Sequence, residues 1–474
     1  MSNTISQNLT RLQNAQTNIK NAILDKGGTV GLNDGFEEFS ADINTIPTSS
    51  PTFAFLYVTT ESGVTITVSK GGTILDSQTA TSQNLQLCFD IPESGTWTVS
   101  GTNNMSTTIS ITNKGVYYIE LIQTHIYGAT IPYGKTATRT DESSLFSDPN
   151  PYYSGMSGSP SSPFDNLMPW SGMTVETFED GNVMVKIPKF YYKITKDAFS
   201  ISLKIADRYV EGFSVSPAHQ ARNENEVDRD YVYIGRYKCT GTNYKSISGL
   251  YPKTSQSRPN MRTGCRQQGT GSNVQGYYPQ DFAMWWTIRF LYLVEFASYN
   301  SQEKIGYGCG DGSGLSYTGY SDSLQYHTGT TQSERTTFGA SVQYRNIEGL
   351  WDNCLEWIDG IYFGSTNYRT IYIIKDPNNF ATSSGVAVGT RQNSNYFEIG
   401  SFITPSNSDY DWAMYPATGS AGLGDDCLYD SSCSYLSTGG YYSQYGSYGL
   451  FYCDDATSSS KSYIGTRLMY LPPQ

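Results

Sequence analysis

The hydrophobic period changes along this chain, and the change closes off most fold classes for each segment in turn. Over residues 3–25 the apolar positions Ile5, Leu9, Leu12, Ile19 and Ile23 step by 4, 3, 7 and 4, and the run stops at Gly27-Gly28. Steps of this size keep one helix face apolar, so the spacing predicts a single amphipathic helix. The step of seven passes over Gln16 and traces a coiled-coil seam with one polar core position, a device that sets register in parallel bundles at a cost in stability. An amphipathic helix lying on its own chain satisfies the same pattern. Phe36, Phe39, Ile43 and Ile46 suggest a second short helix ending near Pro47.

From Pro51 the period is two: Phe53-Phe55-Tyr57, Val64-Ile66-Val68, Leu85-Leu87-Phe89, Trp97-Val99, Ile109-Ile111 and Tyr117-Ile119-Leu121, with Gly, Ser, Thr and Asn in the gaps. Alternation of this kind gives a strand one apolar face. Six or seven such strands in about 75 residues predict a small all-β sandwich. It carries no catalytic constellation and reads as a spacer. Beyond His125 the composition shifts: the first 125 residues hold three tyrosines and the remaining 349 hold 36. Strand-like runs at 183–192 and 231–237, a helix-like run at 282–299 and a Pro/Ser/Gly-rich loop at 147–163 predict a large α+β domain. The expected fold is therefore multidomain: an N-terminal α-helix over 1–48, a small all-β sandwich over 49–125, and a large α+β domain over 126–474.

Charge narrows the partners. Lys and Arg total 31 against 43 Asp and Glu, a net charge of −12, which argues against binding nucleic acid or an anionic membrane. The longest stretch rich in apolar residues, around 288–296, is too short to span a bilayer, and no apolar signal region follows Met1. Neither membrane insertion nor a secretory signal is expected. Eight scattered cysteines contain no C-x-x-C pair, so buried free thiols are expected and no metal or cofactor. Cys427 and Cys433 are close enough to bridge a loop. His125, His219 and His327 lie far apart and form no catalytic motif.

The C-terminal segment is the most informative. Residues 429–470 contain nine tyrosines in 42 positions, and 431–462 adds ten serines, several glycines and Asp454-Asp455. That is the composition of an antibody-like paratope, rigid aromatic area with small adaptable polar groups around it. Leu450-Phe451 and Ile464, Leu468 and Met469 supply core anchors on both sides, which favours a folded loop over disorder. The contact residues expected from this are Tyr441, Tyr442, Ser443, Tyr445, Ser447, Tyr448, Tyr452, Asp454 and Asp455. Enzymatic alternatives are thin. Glu356 with Asp359 mimics a glycosidase pair, and Asp425-Asp426 with Asp430 mimics a calcium site, but a structural hydrogen bond or a solvated loop is the commoner role of such carboxylates. The glycine-rich run at 306–312 lacks the Lys and Ser/Thr of a phosphate loop.

Two stretches resemble the formylglycine-generating-enzyme branch of the C-type-lectin fold. The segment from Tyr344 to Gly360 is similar to that family's G-N-V-W-E-W-x-x-D: Asn353, Glu356 and Trp357 keep the pattern, and Asp352, Cys354 and Leu355 depart from it. Ile464-Gly465-Thr466-Arg467-Leu468 resembles its closing G-F-R strand, and Ser437-Thr438-Gly439-Gly440-Tyr441-Tyr442 its R-G-G-S/N-W segment. With Ile187-Pro188-Lys189, Gly212-Phe213-Ser214 and Tyr233-Ile234-Gly235-Arg236, the likeness covers residues 126–474, and within the branch it is nearer to the variable proteins of diversity-generating retroelements.

The resemblance implies a ligand binder diversified over about 425–463, because that family mutates the adenines of AAC codons, and Tyr, Ser, Asp, Gly and Cys are one or two such changes away. On that view Cys427, Cys433 and Cys453 are by-products, and Gly439, Gly440, Gly449, Leu450, Phe451, Ile464, Gly465 and Arg467 are scaffold. An oxidase of the enzymatic branch would need two thiols before the closing strand, where this chain has only Cys453. The setting implied is a phage tail tip in the virion. Its partners would be a host-cell surface receptor, protein or glycan, and other tail proteins reached through the N-terminal helix, self-associated as a homotrimer. A bacterial cell-surface adhesin and a structural tail component are the alternatives. Trp351, Glu356 and Trp357 are expected to be structural.

Overall fold

The computed structural model describes residues 19–23, 53–132, 137–197, 199–268, 276–309, 312, 314–335, 339, 341–364, 368–382, 384–392, 396–405, 407–418, 424–430, 432–443 and 448–473. Residues 19–23 are helical, with Ile23 buried. The other seam positions, Ile5, Leu9 and Leu12, lie outside the described residues, as does the second short helix predicted around Phe36. The chain separates into two compact units, Met1–Gln123 and Thr124–Gln474.

The first unit is two sheets around one core. Gln86–Ile91, Ala54–Thr59 and Gly115–Glu120 form one, and Thr73–Thr79, Thr65–Lys70, Gly95–Gly101 and Ser106–Ile111 form the other. Between them Leu56, Val58, Ile66, Val68, Phe89, Trp97 and Val99 are buried, each stabilising the unit by roughly 1.5–3 kcal/mol. The phase of the first strand differs from the simplest reading of its aromatics. Ala54, Leu56 and Val58 face inward, while Phe55 is 39% exposed. Both faces of this strand are apolar, so the alternation alone does not choose between them. Tyr57 instead stacks on Tyr118 of the parallel neighbour at 5.4 Å.

The second unit is a set of sheets around a helix. Phe282–Phe296 is apolar nearly all round and every residue of it is buried, the expected environment for a helix without a polar face. Asp281 caps it by accepting the Met284 N–H at 2.7 Å and pairs with Arg222 at 2.7 Å. The C-terminal strand Arg467–Tyr470 lies between Tyr231–Lys238 and Tyr277–Pro279, inside a five-stranded sheet. A seven-stranded sheet runs in the order Tyr415–Thr418, Tyr396–Ile403, Asp426–Leu428, Cys453–Ala456, Tyr435–Thr438, Leu355–Ile358 and Ile464–Gly465. The described chain is thus a β-rich, multidomain protein, and no helix in it is long and apolar enough to cross a membrane.

The three residues expected to be structural occupy distinct layers. Trp351 lies in the main core and donates its indole N–H to the Gly306 carbonyl at 3.0 Å. Trp357 sits in a satellite core. Between them Glu356 is fully enclosed by Lys238 at 2.6 Å and Arg467 at 2.7 Å. Burial alone would raise this carboxyl; the two cations hold it below its usual range.

Candidate functional site

Strands Tyr435–Thr438 and Cys453–Ala456 pair antiparallel, with Ser437 opposite Asp454 and Leu436 opposite Asp455. Two glycines open the loop between them because nothing larger fits. Gly439 has φ 80°, and a β-carbon there would lie 2.7 Å from the Leu350 carbonyl oxygen. One on Gly440 would lie 2.6 Å from that of Trp351. Such close approach of two backbones is tolerated only by glycine. The loop is then pinned to the chain just before the strand Leu355–Ile358 and to the segment around Gly312: the Tyr442 N–H donates to the Asn353 carbonyl at 3.1 Å, and the Gly312 N–H to the Tyr442 carbonyl at 2.6 Å. The Asn353 side chain clamps both backbone groups of Ser316 at 2.9 Å.

Under the loop lies the satellite core of Met261, Leu355, Trp357, Tyr452, Ala456 and Ile464, against which Tyr435, Tyr441, Tyr448 and Tyr463 pack while staying partly exposed. Tyr441 stacks on Tyr463 at 4.8 Å and meets Tyr442 edge-on at 5.6 Å. Tyr448 meets Tyr452 edge-on at 4.4 Å. These rings are held in place by one another, so little conformational freedom remains to be lost on binding.

Of the predicted contact residues, Tyr441, Tyr442, Tyr448 and Asp454 are half-buried and Ser443 is exposed. Tyr445 and Ser447 lie outside the described residues. Two expectations are corrected. Tyr452 is only 2% exposed and forms part of the core beneath Tyr448. Asp455 is buried too, its carboxylate held by the Arg391 guanidinium and by the Asp430 N–H at 2.7 Å. Asp454 points the other way along the strand and keeps a partial view of solvent. Its carboxyl is pushed up to about 7 by burial and by the charges of Asp455 and Asp430.

The carboxylates considered for chemistry are otherwise engaged. Asp425 is buried, accepts the Phe451 N–H at 2.7 Å and is pushed up to about 8 by burial. Asp426 accepts the Tyr396 hydroxyl, and Asp430 accepts the Ser432 N–H at 2.7 Å. Among the described residues no cluster of three His, Cys, Asp or Glu side chains is placed to hold a metal ion. Each histidine has its own partners: His125 meets Glu142, His219 lies between Ser216 and the Ile187 carbonyl, and His327 meets Asp165. None of the eight cysteines is in a disulfide and seven are buried, so Cys427 and Cys433 form no bridge.

One feature of the site escaped the sequence reading. Asp359, three residues after Glu356, receives two arginines of the helix Arg258–Arg266. Arg262 binds it in a fork at 2.7 and 2.8 Å, and Arg258 donates to it from the adjacent turn. The two arginines line a pocket of about 460 Å³ whose walls include Tyr362, Tyr368, Phe380 and Tyr435. The i, i+4 spacing of Arg258 and Arg262 was the available signal. Its meaning depends on a carboxylate about a hundred residues away.

No family model matches the chain, and no curated protein is significantly similar to it.

Proposed function

We propose that this protein is a receptor-binding protein whose second unit is a C-type-lectin-like domain presenting a diversified Tyr/Ser surface, in the manner of the variable proteins of diversity-generating retroelements, with the host-cell surface as its target and a phage tail tip as its setting. The observation that carries the reading is the arrangement of Tyr441, Tyr442, Tyr448 and Tyr463: part-exposed rings packed on a buried floor beside a loop pinned by Asn353, Gly439 and Gly440. Aromatic side chains supported in this way are the usual energetic anchors of a binding surface. The engagement of Glu356, Asp359 and Asp455 by buried cations gives those carboxylates structural work and leaves the rings as the recognition element. Residues 1–48 attach the chain to its assembly.

The double variant Tyr441→Ala/Tyr442→Ala should lose binding to host cells while retaining its melting temperature to within a few degrees. Full cell binding by the folded variant would remove the tyrosine surface from the proposal. Sequencing the segment coding for 425–463 in sibling genomes tests diversification separately: substitutions should cluster there at adenines.

A further inference from the structure

We propose that the pocket beside the tyrosine surface is a binding site for an acidic saccharide, with Arg258 and Arg262 receiving its carboxylate and Tyr362, Tyr368 and Tyr435 flanking its ring.

The charge arithmetic of the pocket starts from Asp359. Its carboxylate accepts from Arg262 Nε and Nη2, from Arg258 Nη2 and from the Gly360 N–H at 3.2 Å. Two guanidinium groups therefore share one carboxylate, and one positive charge is left over. Both arginines are more than nine-tenths buried. Among the described residues no other acidic side chain lines the pocket, Arg258 Nε has no acceptor, and neither Nη1 has a protein partner. An unneutralised guanidinium in a half-enclosed site gains far more from an anion than one at the surface. In a chain of net charge −12, such a surplus is local and directional, and it does not attract polyanions at long range.

The walls select what bears that anion. Arg258 lies over the Tyr435 ring at 4.3 Å, which fixes both groups. Tyr362 is backed by Tyr372 in a parallel stack at 4.8 Å. Ser434, Ser458 and Thr382 add hydroxyl groups to the lining. Aromatic faces, hydroxyls and a cationic end suit a pyranose ring with a carboxylate. A volume of about 460 Å³ is in the range of small-molecule sites and exceeds what an inorganic anion or a single acidic side chain would fill. Ser434, Tyr435 and Ser458 belong to the segment 425–463, so diversification there would alter which sugar is accepted while the two arginines stay. This last point rests on the proposed function; the pocket's affinity for an acidic sugar does not.

The test uses the purified full chain and ligand-detected NMR with methyl glucuronide, N-acetylneuraminic acid, methyl glucoside and acetate. At least one acidic sugar should bind about tenfold more tightly than methyl glucoside or acetate, and weaken as salt is raised. Ala381→Trp, a change at an exposed rim position, should abolish that binding with the melting temperature kept. Arg262→Gln should weaken it about tenfold or more. Failure of both acidic sugars, equal binding of methyl glucoside, equal binding of acetate, which would mean an adventitious ion only, or undiminished binding by folded Ala381→Trp would each overturn the assignment. So would tighter binding of an acidic peptide at the same pocket. The Tyr441→Ala/Tyr442→Ala variant should bind the acidic sugar as the parent does. Loss of cell binding in that variant with sugar binding intact separates the fate of the tyrosine surface from that of the pocket.

Discussion

Glu356 and Asp359 lie on the same stretch of chain and have the same charge arithmetic, one carboxylate and two cations, yet they are solved in opposite ways. At Glu356 the surplus charge disappears into the backbone. Arg467 Nη1 donates to the Gly235 and Arg236 carbonyls at 2.9 and 3.0 Å, and Nη2 to those of Glu348 and Gly349 at 2.7 and 3.2 Å. Every donor of that guanidinium is used, and the residue is fully enclosed. At Asp359 the carbonyls run out: Arg258 reaches only that of Ile361, at 3.4 Å, and the remaining donors border a pocket. The backbone thus completes one buried ion-pair cluster and leaves donors of the other facing a pocket, which is where the proposed acidic ligand would complete it.

Five perturbations test that contrast. The largest effect is expected from Arg467→Met, which leaves Glu356 and four carbonyls without their shared donor. Loss of about 3–5 kcal/mol from the second unit is expected in urea melts. Trp357→Ala, which empties the satellite core, should cost a similar amount, about 3–5 kcal/mol. A smaller loss from Arg467→Met than from Arg262→Gln would invert the comparison.

Arg262→Gln comes next. It removes a fork from Asp359 but leaves Arg258, so destabilisation of about 1–3 kcal/mol is expected by the same urea melts.

The fourth is a pH dependence. Asp425 and Asp454 are raised to about 8 and about 7 by burial, so the folded unit binds these protons more tightly than the unfolded chain does. Their protonated forms favour the fold, and stability should fall as pH rises from about 5 to 8, by roughly 1 kcal/mol per pH unit where one group titrates. Asp425→Asn should flatten the upper part of that slope. Glu356 acts in the opposite sense, because its carboxyl is lowered: what it contributes is lost only as the pH falls through the acid range. A slope unchanged by Asp425→Asn would remove that carboxyl from the account.

The smallest stability effect belongs to Tyr441→Ala/Tyr442→Ala. Both rings are half-exposed, and a cost of about 1 kcal/mol or less is expected by thermal melts.

Much of the scaffold was legible because its signals are local. The period-two runs of 53–121 mark strands, and the helix-like run at 282–299 marks the helix Phe282–Phe296. Trp351 and Trp357 were assignable to the interior because indoles are large and mostly apolar, whereas Glu356 between them is buried only because Lys238 and Arg467 reach it, partners the sequence did not name. The face of a strand was less legible where both phases are apolar, as at Phe55 and Leu56. Within the tyrosine-rich segment, composition does not distinguish the part-exposed Tyr448 from the buried Tyr452 that supports it.

What could be read from the chain alone was the period of each element and the concentration of Tyr, Ser and Gly near the C-terminus. These are properties of neighbouring residues. Tertiary contacts settled which carboxylate each arginine meets, which tyrosines stay partly exposed, and that Arg258, Arg262 and Tyr435 border one pocket. The ion pairs join elements distant in the sequence, about a hundred residues apart for Arg258 with Asp359 and for Arg467 with Glu356, and the cost of burying a charge is settled only when its partners arrive.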